Sequence, residues 1–157
     1  MPTDDIRDQL TDNCHALMAR VDTLRAETDP LECHVHLEEL RREWIAHVLA
    51  EETVVYHAIE GARHDGTQPS DASVRLVEHE LLQRFLDRLS HTTPGSAVWI
   101  ARLDVVAKLI RRHMDEERGD LFSRLAHDYG TDELTSMGRH FGLARKKITL
   151  LERAKDS

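Results

Sequence analysis

Two His-x-x-x-Glu pairs, His47/Glu51 and His113/Glu117, lie in the middle of long segments with helical apolar spacing. No other feature of the chain narrows its fold as much. A helix turns a side chain by ~100° per residue, so each pair stacks an imidazole and a carboxylate on one face. Counted from His47, the residues Leu40, Trp44, Glu51, Val54, Val55 and Ala58 fall within roughly 80° of it. Trp99, Leu103, Val106, Leu109, Ile110, Glu117 and Leu121 gather around His113 in the same way, and His79 shares a face with Leu76, Leu82 and Leu86. Ligand-type side chains in apolar stripes call for helices packed around a polar centre.

Breakers divide the chain into the helices such a packing needs. The first runs from about Thr3, a plausible N-cap, to Glu27, with Ile6, Leu10, Leu17, Val21 and Leu24 at helical spacing. Asp29-Pro30 ends it and starts the second, which spans about Leu31 to Glu60. A loop from Gly61 to Pro69 follows, and Ser70 or Asp71 can cap a third helix reaching Leu89. After the loop His91 to Ser96, a fourth helix runs from about Ala97 to Tyr129, where Gly130 is a natural stop. A tail helix covers about Asp132 to Lys155, with Gly138 and Gly142 placed to kink or split it. The expectation is an all-α, antiparallel up-and-down four-helix bundle with an additional C-terminal helix. We expect one domain over residues 1–157, with the bundle at about 3–130 and the tail at about 131–157.

Composition agrees and excludes several functions. Aromatics make up only 4% of the 157 residues, which disfavours strands. The formal net charge of -8 runs against nucleic-acid binding, which needs a basic patch to displace counterions. No run approaches the roughly 18 apolar residues of a membrane span, and no signal-type segment follows the acidic start. Cys14 and Cys33 form neither a CxxC nor a disulfide framework, so each is read as a small buried hydrophobe. A cytoplasmic location is expected, with no nucleic-acid or membrane partner.

Eleven histidines make a helical histidine uninformative by itself, and phase and depth must sort them. His34/Glu38 repeats the motif, but His34 lies about 140° from His47, so it is rejected as a ligand. His36 returns to the stripe of His47 only about 16 Å along the axis, at the bundle end. In an antiparallel arrangement His15, His47, His79 and His113 reach a similar level. His15 points away from Leu10 and Leu17, but Met18 and Cys14 widen the apolar arc towards it, and no other histidine exists in that helix. Tyr56 falls opposite His47 and is read as packing. Glu43 and Gln83 share the ligand faces and are read as core-edge residues.

One exposed His–Glu pair on a helix is commonplace. Two on core faces, with further inward histidines at matching depth, are not. Burying a carboxylate costs several kcal/mol unless it is paired or metal-bound. Two metal ions resolve this: carboxylates bridge them and neutral imidazoles complete each set. No Glu-x-x-His occurs, so the ferritin-like di-iron pattern is absent, as are the His-Glu-x-x-His zinc motif and any Gly-rich phosphate loop.

The ordered set His15, His47-x-x-x-Glu51, His79, His113-x-x-x-Glu117 resembles the hemerythrin-like HHE cation-binding family over roughly residues 5 to 128. That resemblance implies a bundle enclosing a non-haem di-iron centre. His15 and His47 would bind one iron, and His79 and His113 the other. Glu51 and Glu117 would bridge them with a solvent-derived oxo or hydroxo group. Zinc or manganese also suit such ligands. Oxygen-carrying members have a further histidine and an aspartate where this chain has Gln83 and Arg118. About five donors per iron leave each open to a small molecule. The resemblance therefore implies a redox protein handling peroxide, O2 or NO, with catalase-like peroxide removal as one form. A sensing or storage module without turnover is the first alternative, and a metal-free helical interaction protein the second.

Overall fold

A computed structural model describes residues 3–62 and 71–156. Every element among them is helical: α1 (Ile6–Ala26), α2 (Pro30–Glu51), α3 (His57–Ala62), α4 (Asp71–Ser90), α5 (Ala97–Glu116), α6 (Phe122–Asp128) and α7 (Thr131–Lys155). None is long and apolar enough to cross a membrane among the described residues.

Local chemistry sets the boundaries. Asp5, not Thr3, caps α1, its carboxylate accepting from the Arg7 amide at 2.8 Å. Asp29 accepts from the Leu31 amide at 2.9 Å, and Pro30 opens α2, where its missing N–H costs nothing. Ser96 Oγ accepts from Trp99 N at 3.2 Å to start α5. Gly61, expected to stop the second helix, still belongs to α3, and the rest of the expected loop with Ser70 lies outside the described residues.

Two departures from α-geometry lie beside the paired residues. Glu52–Tyr56 and Glu117–Leu121 are wide turns, with His57 N bonding to Glu52 O and Phe122 N to Glu117 O. Each begins directly after or at the glutamate of a His-x-x-x-Glu pair. Such i→i+5 turns inside α-helices favour functional sites.

The helices α1, α2, α4 and α5 close a ring, each packing on its neighbours, and α7 lies across α1 and α2. That last helix is unbroken despite Gly138 and Gly142. Gly138 has another use: a Cβ there would sit 1.6 Å from the backbone oxygen of Asp4, so the N-terminal segment crosses α7 where no side chain stands.

The apolar core comes in two parts. One, around Leu17, Leu40, Trp44, Leu86 and Leu103, fills one half of the bundle. The other, around Ile6, Leu10, Val55, Leu121 and Phe141, joins the opposite half to α7. Between them lies a layer of buried polar side chains, Asn13, His47, Glu51, His79, His113 and Glu117.

Candidate metal centre

Four helical segments supply the ligand-type residues of this layer. His47 and Glu51 come from the end of α2, His79 from α4, His113 from the last turn of α5, and Glu117 from the wide turn after it. His47, Glu51 and Glu117 are completely buried and the other two nearly so. All three imidazoles aim Nε2 at the carboxylates. His113 Nε2 is 2.6 Å from Glu117 Oε1 and 3.6 Å from Glu51 Oε1. His79 Nε2 is 3.4 Å from Glu51 Oε1, and His47 Nε2 is 3.6 Å from Glu51 Oε2. The Nε2 atoms of His47 and His113 are themselves 3.3 Å apart.

The far side of two rings is anchored. His47 Nδ1 donates to Asn13 Oδ1 at 2.7 Å, and His79 Nδ1 donates to Glu52 Oε1 at 3.0 Å. These bonds fix the tautomer that turns a lone pair of Nε2 inward, as metal-ligating histidines require. Trp44 packs on all three rings at centroid distances of 5.5 to 5.9 Å, and Phe141 of α7 meets His47 at 5.8 Å. Both exclude water from the layer.

Two further groups border it. Tyr56 donates its hydroxyl to Glu51 Oε1 at 2.5 Å and lies 3.4 Å from His79 Nε2. Cys14 directs its thiol to Glu117 Oε2 at 3.7 Å, with His47 Nε2 4.0 Å away. Atoms of Cys14, His47, His113 and Glu117 lie within 4.8 Å of one another, and so do atoms of Glu51, His79 and His113.

The electrostatics describe a site in need of a cation. Burial pushes the Glu51 carboxyl up, but the charge on His113 and hydrogen bonds with Glu117, His113 and His79 outweigh it and hold it well below the usual range. Burial pulls the His113 imidazole down, yet the carboxylates of Glu117 and Glu51 hold it well above its ordinary value. Against the same burial, Glu51 and Glu52 raise His79. Burial, then the charge of Glu51, pushes the Tyr56 phenol up, and burial with Glu117 and Glu51 does the same to the Cys14 thiol. A charged His113 thus sits between two carboxylates where a metal ion would. Among the described residues, Glu51 Oε2 and Glu117 Oε1 accept no hydrogen bond of good geometry. Buried oxygens without a well-aligned hydrogen bond, facing inward imidazole nitrogens, fit a divalent or trivalent ion.

The model of the hemerythrin HHE cation binding domain matches residues 4–125. The chain belongs to that family. A DNA nickase from Nostoc sp. is 21% identical over 125 residues, which cover 80% of this chain and 34% of the relative. The chain thus spans about a third of the length of that curated relative. No solved structure matches it.

Within this hemerythrin HHE domain, five of the six residues singled out in the sequence converge: His47, Glu51, His79, His113 and Glu117. His15 does not. It is exposed, its ring nitrogen 3.2 Å from the guanidinium of Arg118. One residue earlier, ~100° around α1, the thiol of Cys14 takes the inward place. The apolar arc of Leu10, Leu17, Val21 and Leu24 already marked that direction.

Tyr56 corrects the other assignment. It is not mere packing on the far side of its helix, because the wide turn advances by less than ~100° per residue and brings it back towards Glu51. Of the residues set aside, His34 is exposed and His36 faces Glu27 at 3.6 Å. Glu43 pairs with Arg20 at 3.0 Å, Gln83 donates to Asp87 at 3.2 Å, and neither reaches the cluster. Leu76, expected on the inward face with His79, is 44% exposed, whereas Leu82 and Leu86 are buried.

Proposed function

We propose that the chain is a non-haem di-iron protein that reacts with or binds a small oxidant, hydrogen peroxide, O2 or NO, with catalase-like peroxide removal as its enzymatic form. His47, Glu51, His79, His113 and Glu117 are its ligands, in an up-and-down four-helix bundle to which α7 is added. One observation carries this reading: three imidazoles turn Nε2 inward, two of them held from behind at Nδ1, onto two buried carboxylates, each with one oxygen that accepts no well-aligned hydrogen bond among the described residues.

Iron there supplies a Lewis acid and an electron store. The chain's own residues do the rest. Glu51 and Glu117 come from different His-x-x-x-Glu pairs and would supply the carboxylate ligands. Tyr56 donates its hydroxyl to Glu51 Oε1 at 2.5 Å and so orients that carboxylate. Trp44 and Phe141 keep bulk water out. A cavity of about 40 Å³ adjoins His79 and His113, bordered by Trp44, Leu82, Leu109 and Arg112. That space suits a molecule of two or three heavy atoms.

The likeness to the Nostoc DNA nickase does not extend to a shared activity. The match covers 34% of that protein, and a net charge of -8 runs against a DNA-binding role.

Metal analysis with optical spectra on protein grown with iron tests the proposal. About two irons per chain and a near-ultraviolet charge-transfer absorption are expected, both reduced in Glu51→Ala and Glu117→Ala. Full iron occupancy in the double variant would sink the assignment. Sustained oxygen evolution from peroxide marks the enzyme; one stoichiometric spectral change marks a sensing or storage module. Zinc or manganese in the same place would keep the ligands and change the chemistry.

A further inference from the structure

Cys14 is a buried thiol that does not behave as a packing residue. Its neighbours on α1, Leu10 and Leu17, face apolar partners, whereas its own sulfur faces Glu117 Oε2 at 3.7 Å and His47 Nε2 at 4.0 Å. The same space receives Glu117 Oε1, a buried oxygen with no proper donor, and His113 Nε2. We infer that Cys14 binds metal through its sulfur, making one half of the centre a Cys14–His47–His113–Glu117 site. The inference rests on the reading of the cluster as a metal centre.

Ligand spacing supports it. Around a tetrahedral ion with bonds of about 2.0 Å to nitrogen and about 2.3 Å to sulfur, ligand atoms lie about 3.3 Å apart for N···N and about 3.5 Å for S···N. The chain has 3.3 Å between the two Nε2 atoms and 4.0 Å between Sγ and His47 Nε2. The second gap exceeds that spacing by about 0.5 Å. With His113 on the Cys14 side, the other side keeps Glu51 and His79, with Tyr56 beside them, and no sulfur. The two sides of the centre therefore differ: one offers a soft donor, the other only nitrogen and oxygen. On binding, the thiol proton is released to the solvent buffer and the sulfur keeps the electron pair that forms the bond to the metal.

Cobalt(II) added to the full chain after chelator treatment reads this directly. A thiolate gives an intense near-ultraviolet sulfur-to-cobalt band, while imidazole and carboxylate give only weak visible bands. The expected result is a near-ultraviolet band in wild type that persists in Cys33→Ser and is lost in Cys14→Ser, with the visible bands retained. Cys33 is the other cysteine of the chain and bonds to the Glu27 carbonyl at the α1–α2 turn. If Cys14→Ser does not fold, the Cys33→Ser spectrum still decides, since its one remaining sulfhydryl is Cys14. Visible bands without the near-ultraviolet band in wild type, or loss of that band in Cys33→Ser, overturn the role of Cys14 and leave the metal centre standing. No cobalt spectrum at all removes the metal centre, and this inference with it.

Discussion

Tyr56 faces inward and His15 outward, each the reverse of what was expected of it, and both have consequences that can be measured. The Tyr56 hydroxyl is buried and its single donor points to Glu51 Oε1. Hydrogen bonds to charged groups contribute about 1.5–3 kcal/mol net, so Tyr56→Phe should destabilise the metal-free protein by about that much in denaturant titrations. An unchanged midpoint would mean that the phenol packs without bonding. His15 faces solvent and Arg118, so His15→Ala should leave the metal content of iron-grown protein unchanged, while Glu117→Ala lowers it. Loss of metal in His15→Ala would restore the histidine to the centre. The sequence pointed to five inward residues because each belongs to an apolar stripe whose phase is unambiguous. It misplaced His15 because a one-residue difference turns on which arc of α1 is buried, and Cys14, an apolar residue by type, gave no sign of chemistry. Asn13 and Glu52, which hold His47 and His79 from behind, carry no motif at all.

Among the elements, helix positions were legible and their interruptions were not. Asp29-Pro30, Ser96 and Gly130 marked boundaries through chemistry local to a few residues. The two wide turns leave no trace in spacing, because a turn of different pitch changes the meaning of spacing itself. The expectation that Gly138 and Gly142 break α7 also fails, and the two glycines turn out to be opposites. Among the described residues a Cβ at Gly142 meets nothing within 4 Å, whereas one at Gly138 strikes the Asp4 backbone. Gly142→Ala should therefore raise stability by about 0.5–1 kcal/mol through helix propensity. Gly138→Ala should lower it by about 1–3 kcal/mol, the usual cost of overpacking. Equal shifts in thermal melts of the two variants would remove the close crossing. At the other end of that crossing, Asp5 caps α1. Asp5→Ala should cost about 1 kcal/mol at neutral pH. The hydrogen bond from Arg7 lowers the Asp5 carboxyl from its ordinary 3.8. Its stabilisation is thus present above that ordinary value and is lost as pH falls through the lower folded value. Melts of wild type and Asp5→Ala should converge in acid; a constant difference would assign the cap no charge.

Across the whole molecule, the polar layer divides what would otherwise be one continuous core. Without metal the fold holds it together by placing a charged His113 between Glu51 and Glu117, an arrangement that satisfies the carboxylates only in part. Buried ion pairs of this kind are weak sources of stability, since desolvation cancels most of their attraction. An ion bound here ties α2, α4 and α5 at a single point, and α1 too if Cys14 joins. Metal binding then adds directly to folding. At a free concentration 100-fold above the dissociation constant it should stabilise the chain by about 2.7 kcal/mol. Iron-loaded protein should melt at higher temperature than chelator-treated protein, the gap should widen with free metal, and Glu51→Ala/Glu117→Ala together should abolish the dependence. Melting curves that ignore metal would leave the polar layer as a structural ion-pair network and return the chain to the class of metal-free helical interaction proteins.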